Sequence, residues 1–190
     1  MPSTLLTCTP RDAMAPEWQP AWDALKGLTG DATFVEAFAQ RPDLLNFVMN
    51  QFYMPIFFGG KVDNRYKQLS RLRLSLKHGC QTCNKQNVPG ALAAGFTQKQ
   101  VEALAKDQFD AFAPAEQAVI RYADQVALTN MHGDMTPQLF AQLRAHFSEG
   151  DILELGTAMA IISGMAKLSF VLGVVDKEPY CPFAATAAAA

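Results

Sequence analysis

The sequence predicts an all-α, single-domain helical bundle of about seven or eight helices. Three observations predict it. Apolar residues recur at steps of three and four along most of the chain. Prolines, glycines and Ser/Thr caps punctuate those stretches. No sustained alternation of apolar and polar residues stands between hairpin turns.

In chain order, Pro2 to Pro20 reads as an irregular arm, and Trp18, Trp22 and Leu25 fall at helical spacing behind it. Asp31 to Ala39 predicts a helix with Phe34, Val35 and Phe38 on one side. Arg41-Pro42 breaks it, because the residue before proline is pushed out of the helical region. Pro42 then opens a helix carrying Leu44, Leu45, Phe47, Val48, Phe52 and Tyr53, with Pro55 expected to kink it and Gly59-Gly60 to end it. The next helix carries Val62, Tyr66, Leu69, Leu72 and Leu76, and Gly79 stops it. Another runs from the Cys80 pair to about Ala94. Thr97 and Gln100 have the form of a capping box. Pro114 opens a helix to about Leu128, and Thr136-Pro137 caps one carrying Leu139, Phe140, Leu143 and Phe147. Ser148 and Asp151 start a long apolar C-terminal helix. Residues 1–182 are expected to form the domain and 183–190 an Ala-rich disordered tail.

Of the 190 residues, 49% are hydrophobic and 18% charged, with net charge −2. That composition supports a packed core, and the absence of a basic excess argues against nucleic acid as a partner. Residues 1–30 hold Pro2, Pro10, Pro16 and Pro20 and no apolar leader segment, so a reducing, cytoplasmic setting is expected for the four cysteines. Ile152 to Val175 is long enough to span a bilayer. Glu154 and Lys167 inside it favour a buried or subunit-interface helix instead.

Cys80-Gln81-Thr82-Cys83 has redox spacing. Two residues three apart on a first helical turn bring their sulfurs together, so a disulfide can form and reopen with little backbone motion. The amides and dipole of a helix N-terminus stabilise a thiolate, and Lys77, His78 and Lys85 lie close in sequence. Half of a zinc site is the alternative, without a second cysteine pair to complete it. Two inert core cysteines are another. Cys8 and Cys181 stand at opposite ends of the chain.

The run Gln68-Leu69-Ser70-Arg71-Leu72-Arg73-Leu74-Ser75-Leu76-Lys77-His78-Gly79-Cys80-Gln81-Thr82-Cys83 resembles the core of the alkylhydroperoxidase D-like family, also called the carboxymuconolactone decarboxylase superfamily. Arg41-Pro42-Asp43-Leu44-Leu45 and Gly59-Gly60-Lys61-Val62-Asp63 resemble its upstream blocks. Arg121-Tyr122-Ala123-Asp124, Leu143 to Ser148 and Ile152-Leu153-Glu154-Leu155 resemble its downstream ones. The likeness covers roughly residues 40–176. It implies an all-helical fold, homo-oligomers (often trimers or hexamers) and reduction of peroxides, with no metal or organic cofactor but with an external thiol reductant. In peroxide-reducing members the second cysteine attacks and the first resolves. By position, Cys83 is then the peroxidatic residue and Cys80 the resolving one. The dipole argument by itself favours the first cysteine as nucleophile.

The resemblance also exposes a departure. The family's glutamate and histidine relay protons to the attacking cysteine, and at those positions this chain has Gln68 and Asn87. Neither takes a proton near neutral pH. His78 is the candidate substitute base, its alternative role being a cap on helix-terminal carbonyls. Without a relay, the pair suits peroxide reduction by another proton route or exchange with a disulfide. An acid–base reaction of the carboxymuconolactone decarboxylase kind and a non-catalytic scaffold are the competing readings. Asp124, Glu154, His132 and His146 are expected to be structural or surface residues. Lys61, Arg65, Lys67, Arg71, Arg73 and Lys77 are expected on a solvated or interface surface.

Overall fold

The structure is a computed structural model that describes residues 2–183. Among these residues it is helical throughout, with no strand beyond a single bridge between Cys80 and Lys177. Nine α-helices follow two short 3-10 turns: α1 (Gln19–Thr29), α2 (Thr33–Phe38), α3 (Pro42–Asn46), α4 (Asn64–His78), α5 (Gln81–Ala93), α6 (Gln98–Ala105), α7 (Pro114–Val126), α8 (Pro137–Arg144) and α9 (Glu149–Leu172). The expected elements are present, and several helices end a residue or two earlier than the sequence suggests. The expected tail divides. Phe183 packs on Phe170 with ring centroids 5.6 Å apart, and residues 184–190 lie outside the described residues.

The segment after α3 departs from expectation. Phe47–Phe58 winds in wide π turns with Pro55 inside it, instead of a kinked α-helix. Proline has no amide to give to an α ladder. The wide turns present Phe52 and Phe57 to the interior and Tyr53 between them.

Helix α4 is the axis of the bundle, packed against α5, α6, α7, α9 and the π segment. Asp63 caps it, accepting from Arg65 N at 2.8 Å. Its apolar residues Leu69, Leu72 and Leu74 are buried in the main core with Val119, Ile120, Leu143, Leu155 and Met159. A second, smaller core holds Met14, Trp18, Val35 and Leu45, with Trp22 donating to Glu36 Oε1 at 2.8 Å. The capping box at Thr97 forms, with Thr97 N donating to Gln100 Oε1 at 3.0 Å.

Lys61 is exposed and Arg65 and Lys77 are partly exposed, but the other three basic residues of the expected set do not lie on a solvated surface. Lys67, Arg71 and Arg73 are 0%, 5% and 2% exposed. The reason is that the middle of α4 is enclosed by other elements, where a cation loses water and calls for a partner. Lys67 Nζ donates to Glu154 Oε1 and to Ile56 O, each at 3.0 Å. Arg73 grips Asp124 through Nε at 2.6 Å and Nη2 at 2.9 Å, and also reaches Leu104 O and Asp107. Glu154 does more than suit a helix dipole: it accepts from the amides of Lys61 and Val62, tying the Gly59-Gly60 turn to α9.

Helix α9 is long and apolar enough to cross a membrane by length and composition. One side of it packs into the bundle through Ile152, Leu155, Met159 and Phe170, and the other leaves Leu153 and Val171 each 70% exposed.

The Lys67–Glu154 pair generates a stability prediction. Burial pushes the Glu154 carboxyl up, but hydrogen bonds from Lys67 and from the amides of Lys61 and Val62 outweigh it, so its pKa lies below the ordinary value. A depressed carboxylate contributes stability above the unfolded pKa, and that contribution is lost as pH falls through the folded pKa. Glu154→Ala leaves Lys67 buried and unpaired and is expected to cost about 3 kcal/mol. Urea unfolding at neutral pH measures it. A loss below about 0.5 kcal/mol, the range of ordinary surface substitutions, contradicts the assignment.

Candidate functional site at the cysteine pair

Gly79 ends α4 with φ 63°, a left-handed conformation that favours glycine. A Cβ there would stand 2.6 Å from Cys181 Cα, so close approach excludes other residues as well. This turn delivers Cys80 to the N-cap of α5, where its sulfur accepts from Cys83 N at 3.2 Å. Cys80 and Cys83 form a disulfide with their Cα atoms 5.2 Å apart.

The chain after α9 braces this turn. Gln81 N donates to Asp176 O at 3.0 Å and Glu178 N to Gly79 O at 2.8 Å. Thr82 Oγ1 accepts from Asp176 N, and Asn84 Nδ2 donates to Glu178 Oε1 and Tyr180 OH. Cys181 is buried against Cys80, with its thiol donating to His78 O at 3.1 Å. The C-terminal cysteine therefore does approach the pair. Cys8 sits in the N-terminal arm and bonds weakly to Leu6 O.

The two bonded sulfurs differ in access. Cys80 is 0% exposed, whereas Cys83 is only partly buried. Both border a partly open cavity of about 240 Å³ lined by α1, α2, the π segment, α4, α5 and α9. Most of its wall is apolar, including Leu25, Phe34, Phe52 and Ile162. Its polar lining includes Tyr53, Arg71, Ser75, His78, Gln86 and Asn87.

Gln68 and Asn87 sit buried beside Arg71. Asn87 Nδ2 donates to Arg71 O at 3.3 Å, so it braces the α4 backbone with its amide. Gln68 Oε1 is buried with no partner among the described residues, close to the point where α5 passes at Gly90.

His78 is 1% exposed at the end of α4. Its Nε2 accepts from Leu128 N at 3.0 Å, which assigns the ring proton to Nδ1. The imidazole thus caps an amide, not the carbonyls expected of a histidine at a helix end. Burial pushes its pKa from 6.5 down to about 4, so the ring is neutral at pH 7.

The other candidates lie apart. Asp124 is committed to Arg73, Glu154 to Lys67, and His132 and His146 are exposed. Among the described residues no group of three or more His, Cys, Asp or Glu side chains is placed to hold a metal ion.

Three contributors to the site do not stand out in the sequence: Arg71, Tyr53 and the wall made by α1 and α2. A signal for Arg71 exists. Gln68, Arg71, Ser75 and His78 recur at steps of three and four, forming a polar stripe on an otherwise leucine-rich helix. Tyr53 is hidden by the π turns, which shift its direction from an α register.

The pKa of His78 gives the site a pH signature. Between pH 6.5 and about 4 the unfolded state binds the proton that the folded imidazole refuses, so stability falls as pH falls through that window. The full loss is about 3 kcal/mol. The His78 ring resonances should titrate near pH 4, and titration near 6.5 would show that the imidazole is not sealed.

Comparisons with known proteins agree with this architecture. The family model described as "Carboxymuconolactone decarboxylase family" matches residues 42–125, spanning α3 to α7 and the cysteine pair. An uncharacterized protein YdfG of Bacillus subtilis is 21% identical over 113 residues, covering 59% of this chain and 76% of its own. A solved structure from Agrobacterium tumefaciens, a protein of unknown function proposed to be the antioxidant defence protein AhpD, superposes with TM-score 0.56 at 22% identity, over 72% of this chain and 88% of that one. The debrominase Bmp8, solved as a cysteine-to-alanine variant with 2,3,4-tribromopyrrole, superposes with TM-score 0.72 at 19% identity, over 93% of each chain. The family match over residues 42–125 and the helical fold shared with both solved structures make this chain similar to the carboxymuconolactone decarboxylase family over α3 to α7 and the cysteine pair.

Proposed function

We propose that the protein is a thiol-dependent reductase of small organic molecules, with hydroperoxides as its first substrate class. One observation carries this reading: at a largely apolar cavity that both sulfurs border, Cys83 is partly exposed while Cys80 has no exposed surface. Cys83 is then the attacking sulfur and Cys80 the resolving one. The first-cysteine preference of the dipole argument is outweighed by access.

In the reduced protein, the Cys83 thiolate attacks one peroxide oxygen and the O–O bond breaks. The leaving alkoxide takes a proton, for which the Tyr53 phenol is the donor lining the cavity. The resulting sulfenic acid is attacked by the Cys80 thiol, water leaves and the disulfide closes. An external thiol supplies the two electrons that reopen it, as the reducing cytoplasm can. A small disulfide fits the same cavity, whereas its volume of about 240 Å³ disfavours a protein disulfide.

The acid–base reading loses support at His78, the imidazole of the cavity wall. It stays neutral and already accepts a bond through Nε2. A halogenated heteroaromatic is a second substrate class. Bmp8 is described as a debrominase bound to a bromopyrrole, and the apolar wall here suits such a molecule. Two electrons from the cysteine pair would replace carbon–halogen with carbon–hydrogen and release halide. The expected homo-oligomer, a trimer or hexamer, we assign to the exposed apolar side of α9 at Leu153, Leu168 and Val171.

Kinetics test the reading. Reduced protein mixed with cumene hydroperoxide should lose two thiols per peroxide, and Cys83→Ser should fall to the rate of a simple thiol. Installing the relay with Gln68→Glu and Asn87→His should raise the rate about 10²-fold or more. Equal rates for wild type and Cys83→Ser would end the peroxidase reading. Halide release from a bromopyrrole without peroxide consumption would move the assignment to dehalogenation.

A further inference from the structure

Three cations of α4 are buried, and two of them have carboxylate partners: Lys67 pairs with Glu154, and Arg73 with Asp124. Arg71 is 5% exposed and has no carboxylate partner among the described residues. Its Nε is buried without an acceptor. What surrounds it is the face of Phe57, 5.1 Å from the guanidinium carbon, and the phenol of Tyr53. A guanidinium stays charged in a protein, and burying one without an anion is costly. In the disulfide form neither Cys80 nor Cys83 carries the missing charge.

Arg71 also lines the cavity that reaches Cys83. Most of the lining is apolar and comes in part from α1 and α2, through Leu25, Leu28 and Phe34. These helices lie before the family match at 42–125, so this part of the lining is outside the matched segment. The cavity thus combines a buried guanidinium with a largely apolar lining.

We propose that the cavity binds a small, largely apolar organic monoanion, its carboxylate paired with Arg71 and its apolar body lodged against α1, α2 and Phe52 beside Cys83. The proposal rests on the reading of this cavity as the substrate site and narrows its substrate to molecules bearing an acid group. A guanidinium–carboxylate pair is bidentate and gains strength where water is excluded. The apolar wall supplies affinity, and Arg71 fixes which end of the molecule points away from the sulfur.

The test is calorimetric titration of the oxidised protein with hydrocinnamate and with its neutral amide. A charge-assisted pair predicts that the acid binds about tenfold more tightly or better. Arg71→Met should abolish that preference, and Arg71→Lys should keep part of it. Should Arg71→Met fail to fold by circular dichroism, the acid–amide comparison on wild type and the lysine variant decide. Equal affinity for acid and amide, binding of neither, or an undiminished preference in Arg71→Met would overturn the proposal. The oxidised protein performs no reduction in this assay. Acid-selective binding in a protein that consumes no peroxide would therefore sink the redox reading alone, and peroxide turnover with no acid selectivity would sink this one alone.

Discussion

The bundle depends on enclosing α4, a helix that carries cations at positions other helices surround. A buried charge is tolerated only with a partner, so enclosure dictates which helices must lie beside α4 and at what height. Glu154 reaches Lys67 from α9 and Asp124 reaches Arg73 from α7. Those two contacts fix α7 and α9 along the axis, and the apolar core around Leu69, Leu72 and Leu155 fills the space between them. Breaking either pair leaves a charge stranded in the core, which is why the arrangement is specific as well as stable.

The same enclosure positions the chemistry. With α4 held, the left-handed turn at Gly79 places Cys80 on the first turn of α5, and the segment from Asp176 to Cys181 closes over that turn. Both sulfurs border the cavity, but Cys80 has no exposed surface and Cys83 is partly exposed. Arg71, with no carboxylate to answer it, breaks the pairing that its neighbours on α4 obey. Local exceptions to a rule obeyed elsewhere in the same element are expected at sites of function.

Much of this was legible in the sequence because it depends on local signals. The leucine steps of α4, the stop at Gly79, the cap at Thr97 and the cysteine spacing each act within a few residues. The partners of the buried cations were not legible, since Lys67 and Glu154 are 87 positions apart and Arg73 and Asp124 are 51 apart. Nothing local marks such a pair, so the basic residues read as surface. The π segment was hidden too, because Pro55 reads as a kink and gives no hint of wide turns. At the site, the cysteines, Gln68 and Asn87 were found by spacing and resemblance. Tyr53 and the α1–α2 wall arrive from elements whose contact with α5 only the fold reveals.

Unequal access of the two sulfurs is the claim on which the rest turns, and alkylation measures it directly. The reduced protein is exposed briefly to limiting iodoacetamide, quenched in acid and mapped by peptide mass spectrometry. The structure predicts that Cys83, like the accessible Cys8, is labelled ahead of Cys80 and Cys181, which are spared until the fold is opened. Labelling of Cys80 ahead of Cys83 would contradict the assignment of attacking and resolving roles.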